Sequence, residues 1–268
     1  MIKSNKTRKG WRVPLSAPKY GIFTIEYDVT DSTNERAKVY ARDLWHGEPT
    51  LFIAEEQTQG RGRYSRKFHS KRGAGVYLSL LFKPNSDISN TTSIIALTAI
   101  SMIKAIRQQV TADIKIKWVN DLVLGDKKLG GILIEGAINP QAKSYDYLIT
   151  GIGINLYTTR LDEEIRGIAT SLEGETGVKI DKVELTRAFV SHFTEGLKSP
   201  DSEELFLDYS KHLITVGKDV TVKTITEEYD ATALRINRDY SLTVITGDGE
   251  EKRIYTGEAS VKPTRKGG

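Results

Sequence analysis

Several clusters of side chains in this sequence have the right types and spacing to act on an anion. The segment Gly60-Arg61-Gly62-Arg63-Tyr64-Ser65-Arg66-Lys67 sets guanidinium groups between glycines. Glycine lets backbone amides approach a ligand closely, and a guanidinium grips carboxylate or phosphate through paired hydrogen bonds. A triphosphate suits such a loop, but a solvated mobile segment or a Gly/Arg segment that binds RNA has the same composition. Lys128 stands just ahead of the paired glycines Gly130 and Gly131, so its ammonium could lie beside a ligand that approaches the backbone. Lys127 and the preceding Gly125-Asp126 also describe an ordinary hairpin turn. Upstream, Lys117-Trp118-Val119-Asn120-Asp121 places an indole beside an Asn-Asp pair. Trp118 could stack on a purine or fill a core, and Asp121 could pair with a lysine, act through a metal, or simply turn the chain with Asn120.

The chain that must position these groups has 268 residues, enough for one large domain, or one plus a small partner, with a sizeable core. Hydrophobic residues at 38% and charged residues at 28% fit a folded globular protein and argue against disorder or a fibrous design. There is no cysteine, so disulfides, thiolate metal sites and a thiol nucleophile are excluded, and any covalent chemistry must use oxygen or nitrogen. No run approaches the roughly 20 apolar residues of a spanning helix, and the start Met1-Ile2-Lys3-Ser4-Asn5-Lys6 lacks the apolar stretch of a secretory signal. A cytoplasmic protein is expected. The formal charge of +4 is a weak excess that does not choose between nucleic acid and other anions. His46, His69, His192 and His212 show no metal-ligand spacing and read as surface or helix-side residues.

The elements follow from hydrophobic period and turn residues. A basic arm over residues 1–20, with Pro14 and Pro18, leads to a strand at Ile22–Tyr27; Ser32 ahead of Glu35 has the spacing of a capping box and predicts a helix over Thr33–Leu44. Leu51–Ala54 and Val76–Phe82 read as buried strands, the second closed by Pro84, and helical spacing from Asn90 or Thr91 to Val110 predicts a long helix. Strands are expected at Ile114–Trp118, Leu129–Glu135 and Tyr145–Asn155, and helices at Lys182–Leu197 and Ser202–Lys211. From Val216 the composition shifts to short alternating strands at 220–223, 231–236, 242–245 and 252–255, turned at Asn237-Arg238-Asp239 and Gly247-Asp248-Gly249. That spacing predicts a small antiparallel barrel or sandwich.

Taken in order, Asp31-Ser32-Thr33-Asn34, the Gly60–Arg66 loop, Lys117–Asp121 with Lys128-Leu129-Gly130-Gly131-Ile132-Leu133-Ile134-Glu135, and Gly151-Ile152-Gly153-Ile154-Asn155-Leu156 resemble the motifs of the biotin protein ligases, over roughly Gly21 to Val261. The C-terminal run Gly257-Glu258-Ala259-Ser260-Val261 is similar to the end of that family's SH3-like module. Val119 departs from the family, which often has proline there. The resemblance implies an α/β (α+β) fold: a mixed sheet flanked by helices in a catalytic domain of the biotin/lipoate ligase type, at 21–215, followed by an SH3-like β-barrel at 216–262 and a tail at 263–268. The expected type is monofunctional, without an N-terminal DNA-binding domain.

The resemblance further implies that ATP, with Mg²⁺ held through its phosphates, activates biotin to biotinyl-5'-AMP, and that biotin then passes to a lysine of a biotin carboxyl carrier domain, as in acetyl-CoA carboxylase or pyruvate carboxylase. By matching position, Lys128, Arg63 and Asp121 are the expected catalytic residues. Ser32, Thr33, Asn34, Gln57, Gly60, Arg61, Gly131, Ile132 and Gly151 are expected on biotin, together with Arg63 and Lys128. Arg66, Phe68, Trp118, Asn120 and Asn155 are expected with them on ATP. The segment Gly60–Lys71 is expected to close as a lid. A homodimer is compatible with the family, membrane association is not expected, and DNA binding is disfavoured. A lipoate or octanoate ligase is the nearest rival, and a nucleic-acid-binding regulator a more distant one.

Overall fold

The structure is a computed structural model that describes residues 19–84, 91–139, 141, 144–158 and 161–262. Most of the expected N-terminal arm and the whole of the expected tail lie outside those residues.

The chain begins with β1 (Phe23–Thr30), α1 (Thr33–Asp43) and β2 (Thr50–Gln57), a crossover unit in which β1 and β2 pair in parallel. β3 (Gly75–Phe82), α2 (Thr91–Arg107), β4 (Ile114–Lys117), β5 (Asp121–Leu124), β6 (Lys127–Asn139) and β7 (Ser144–Asn155) follow. These strands form one sheet in the order β1-β2-β3-β7-β6-β5-β4, antiparallel everywhere except at β1/β2.

The near-continuous apolar run of β3 is explained by its place inside this sheet, where all eight residues are buried. Val76, Leu78, Leu80 and Phe82 join the main core. Leu81 joins a smaller core under α1, with Ile25, Phe52 and Ile149. α2 is apolar nearly all round, which suits a helix enclosed on every side. It packs against β6 and β7 and against two later helices, α4 (Lys182–Gly196) and α5 (Glu203–His212); the short α3 (Leu172–Thr176) precedes α4 in the chain. No described helix is long and apolar enough to cross a membrane.

The last strands, β8 (Asp219–Lys223), β9 (Glu228–Ile236), β10 (Leu242–Thr246), β11 (Glu251–Ile254) and β12 (Glu258–Val261), make a second, fully antiparallel sheet in the order β11-β10-β9-β8-β12. Its core gathers Val220, Val222, Leu242 and Val244, and also Trp118 and Val119 from the loop between β4 and β5. The two sheets thus share a junction made by that loop. The peptide between Trp118 and Val119 is cis.

Two local expectations are corrected. The capping box does not form: Ser32 is the N-cap of α1 but its hydroxyl accepts no capping bond, its N–H donates to the Asp31 carboxylate at 2.6 Å, and the Glu35 carboxylate pairs with Lys38 at 2.8 Å and Arg61 at 2.7 Å instead. Asn120-Asp121 is more than a turn, since Asp121 opens β5, whose residues pair with β4 on one side and β6 on the other.

Candidate active site

A cavity of about 320 Å³ opens over the β6/β7 face of the large sheet, between the N-terminus of α1 and the segment that follows β2. Its inner end is built from short polar side chains. The Gln57 carbonyl accepts from the backbone N–H of Thr33 at 2.8 Å and from its hydroxyl at 3.1 Å, while the Gln57 amide donates to Ser70 at 2.8 Å. Ser32, Thr33 and Asn34 are all buried at the start of α1, which puts them against the cavity. Asn34 is committed to protein: its carbonyl lies 2.5 Å from the Ser79 hydroxyl and its amide donates to Glu135 at 2.8 Å. It lines the cavity as a brace.

Glycine makes the floor. Gly151 and Gly153 of β7 face Leu133 and Gly131 of β6. A Cβ on Gly151 would run into the Asn34 carbonyl, and one on Gly153 into the ring of Phe68. Gly151→Ala is therefore expected to push Asn34 off Ser79 and Glu135, and to cost about 1–3 kcal/mol of unfolding free energy through the buried polar groups left unpaired. Urea denaturation checks it, and unchanged stability refutes it.

The outer end is charged. The segment after β2 folds back on itself, with the Phe68 N–H bonded to the Gly60 carbonyl at 2.8 Å and the Gly62 N–H to the Arg66 carbonyl at 2.7 Å. Gly60 is required by this closeness, since a Cβ there would meet the Phe68 carbonyl. Every expected cation now has a partner. Arg61 pairs with Glu35 at 2.7 Å, Arg66 with Glu258 at 2.8 Å, and Lys128 with Asp121 at 2.6 Å, while Arg63 donates to the Asn120 carbonyl at 3.3 Å. These pairs are partly exposed, and such pairs contribute only about 0–1 kcal/mol each, so an incoming polyanion can replace them. Gly131 leaves open the space beside the Lys128 ammonium: a Cβ there would sit 3.4 Å from it.

Lys128 is also fixed by its backbone. Its N–H donates to Ile168 at 3.0 Å and its carbonyl accepts from Thr170 at 2.9 Å, so the segment Leu161–Thr170 lies along the start of β6. The amide of Asn155, at the end of β7, donates to the Thr170 carbonyl at 3.0 Å. Ile165, Ile168 and Ala169 thereby form a wall of the cavity opposite the loop of Arg61–His69.

One expected ligand contact is corrected. Trp118 is only 2% exposed, its indole N–H donates to the Tyr240 carbonyl at 3.0 Å, and it is absent from the cavity wall. Its ring belongs to the junction between the sheets, so it does not stack on a base. The remaining expected residues converge: Ser32, Thr33, Asn34, Gln57, Arg61, Arg63, Arg66, Phe68, Asn120, Asp121, Lys128, Gly131, Ile132, Gly151 and Asn155 all line the cavity, with Gly60 at the base of the loop.

Sequence reasoning missed Ser79, Glu135, His69, Ile165, Ile168 and Glu258. His69 stood beside the recognised loop and was passed over because it lacks metal spacing. Glu135 and Glu258 stand inside segments that carry the family resemblance, without a role of their own there, while Ser79, Ile165 and Ile168 reach the site through pairings remote in sequence, for which no local signal exists. Among the described residues no group of three or more His, Asp or Glu side chains could hold a metal ion. A cation arriving with a nucleotide would have to take most of its oxygens from phosphate.

Residues 26–155 match the model of the biotin/lipoate A/B protein ligase family. The chain is 30% identical over 261 residues to the bifunctional ligase/repressor BirA of Bacillus subtilis, covering 92% of this chain and 76% of that one. It is 30% identical over 162 residues to the biotin–(acetyl-CoA-carboxylase) ligase of Paracoccus denitrificans, covering 58% and 65%. Among solved structures, the biotin protein ligase from Aquifex aeolicus in complex with biotin and ATP matches with a TM-score of 0.74 and 28% identity, over 90% of this chain and 99% of that one.

Proposed function

Because the chain belongs to the biotin/lipoate A/B protein ligase family, we propose that it is a biotin protein ligase that makes biotinyl-5'-AMP from biotin and ATP and transfers the biotinyl group to a carrier lysine. The observation that carries this reading is one cavity with two unlike ends: short hydroxyls and an amide over a glycine floor, and a ring of exchangeable cations. The first end suits a neutral ureido ring, which both donates and accepts. The second suits a carboxylate brought against a triphosphate.

In the first half-reaction a biotin carboxylate oxygen attacks the α-phosphorus and pyrophosphate leaves. In the second the carrier amine attacks the acyl carbon, AMP leaves with the bonding electrons, and the amine gives up a proton. No nucleophile of the protein is needed, in keeping with the absence of cysteine. Ser32, Thr33 and Gln57 bind the ureido ring, with Asn34 holding them in place. The backbone of Gly60, Arg61, Gly131 and Ile132, with Gly151, bounds the biotin slot. Arg63 and Lys128 offset the repulsion of the two anions and stabilise charge on the transferring phosphorus, Asp121 aims Lys128, and Arg66 leaves Glu258 for the triphosphate. Phe68, Asn120 and Asn155 lie on the nucleotide side, where Ile165 and Ile168 take the apolar place expected of Trp118. Mg²⁺ bound through the phosphates would supply further charge neutralisation.

The division near Val216, into a catalytic unit at 21–215 and an SH3-like unit at 216–262, belongs to the same proposal and is supported by the two separate sheets. A cytoplasmic setting suits a consumer of ATP. Mass spectrometry of a biotin carboxyl carrier domain incubated with the protein, ATP and biotin tests the reading. A single biotinyl adduct on one lysine is expected, with none from lipoate; a lipoyl adduct and no biotinyl adduct would reverse it.

Arg63 reaches Asn120 from the loop and covers the site where the adenylate would form. Arg63→Gly is expected to leave the fold intact and to speed adenylate release by about 10- to 100-fold, the value of one or two charge-assisted hydrogen bonds. Retention of adenylate through gel filtration at the wild-type level would sink this role.

A further inference from the structure

Two segments wall the outer end of the cavity, and a single carboxylate joins them. Asp162 accepts from Nδ1 of His69 at 2.7 Å through one oxygen and pairs with the Lys71 ammonium at 2.7 Å through the other. His69 and Lys71 stand at the foot of the basic loop, where the Gln57 N–H donates to the Ser70 carbonyl at 3.0 Å and the Tyr77 hydroxyl donates to the Lys71 carbonyl at 2.9 Å. That foot is anchored on β2 and β3. Asp162 begins the stretch that carries Ile165, Ile168 and Ala169 into the cavity wall.

The far end of that stretch is tied to β6 by the bonds of Lys128 to Ile168 and Thr170. Its near end has the polar tie through Asp162 and the apolar one through Leu161, which is 3% exposed. His69 spends its Nδ1 on this stretch, while its Nε2 lies 4.0 Å from the exposed Glu164, beyond hydrogen-bond distance. The Nδ1 bond makes the imidazole a fastener between the loop foot and this stretch, from a place on the cavity wall. The Lys71 ammonium, and after it the His69 ring, holds the Asp162 carboxyl below the usual carboxylate range, so the group stays ionised at neutral pH.

We propose that Asp162, held by His69 and Lys71, is a positioning residue that fastens the nucleotide-side wall Leu161–Ala169 to the foot of the basic loop and so sets affinity for ATP without touching it. This rests on the biotin ligase reading for its consequence but not for its geometry. The buried Leu161 keeps the stretch on the fold when the polar tie is cut, so the substitutions report on position.

Hydrogen exchange of the ligand-free protein tests the tie directly. His69→Ala is expected to raise exchange in peptides covering 161–169, far away in sequence, as Asp162→Ala does. Kinetics test the consequence: in ATP–pyrophosphate exchange, Asp162→Ala should raise the KM for ATP about tenfold, within the usual range of coupling between sites. The KM for biotin should move less than about twofold, because the ureido end is built by other elements. Asp162→Asn, which keeps an acceptor, should fall between. The double variant should be no worse than the stronger single one, as for residues acting through one contact.

Unchanged exchange over 161–169 in His69→Ala, additive effects in the double variant, or equal rises in both KM values would overturn the inference. Absence of biotin-dependent exchange in the wild type would overturn the ligase reading instead, and the hydrogen-exchange result would still decide the tie.

Discussion

Lys128→Ala is expected to reduce biotin-dependent ATP–pyrophosphate exchange by about 10²–10³-fold, the scale found when a preorganised donor to a charge-bearing transition state is removed, while the melting temperature barely moves. The two halves of this expectation come from different atoms of one residue. The structural work is done by the main chain, which bonds to Ile168 and Thr170 and survives the substitution. The ammonium does little for stability: it is 42% exposed and pairs with a carboxylate itself 26% exposed, a geometry that contributes at most about 1 kcal/mol. It lies beside the bare backbone of Gly131, where a carboxylate and a phosphate meeting in the cavity would both be within its field. Exchange retained at more than a tenth of the wild-type rate would remove Lys128 from the mechanism.

Trp118→Ala is expected to cost about 3–5 kcal/mol of unfolding free energy, the range for deleting a large buried aromatic side chain. The ring fills the core between the two sheets, and its N–H satisfies the Tyr240 carbonyl. Urea denaturation measures the loss. A second variant separates core from ligand: Trp118→Phe keeps most of the volume, and should leave the KM for ATP within about twofold while still losing stability, since one hydrogen bond goes unmade. A large rise in KM with little loss of stability would restore the base-stacking role.

The contrast between these two residues shows what was legible in the sequence. The polar residues at the start of α1 read locally as a helix cap and join the site only through the family resemblance, whereas the Gly/Arg segment and Lys128 are recognisable as anion-binding candidates because their chemistry is written in adjacent letters; the cavity brings them together. β3 and α2 were legible for the same reason, since an unbroken apolar run and an all-round apolar helix each demand enclosure. Trp118 was read as a ligand contact because adjacency to Asn120 and Asp121 says nothing about which face of the loop meets which sheet. That depends on Tyr240, whose carbonyl takes the indole N–H, and on Val220, which joins its core, both from the far end of the chain. Glu35 illustrates the same limit on a smaller scale: its spacing from Ser32 fits a cap, but Arg61 and Lys38 compete for the carboxylate and win. Ile168 shows the limit from the other side: an isoleucine reads locally as core, yet it is 71% exposed and stands on the cavity wall.

The strand order of the large sheet also has a consequence in time. β3 lies between β2 and β7, and while the chain is being synthesised its apolar edge has one neighbour until Ser144–Asn155 has been made. Pairings this distant in sequence are slow to form and expose aggregation-prone edges meanwhile. The C-terminal sheet assembles largely from successive hairpins, with only β12 returning to β8. The hazardous interval in the life of a nascent chain is therefore the translation of α2 through β7, when Val76–Phe82 is the segment whose edge stays open.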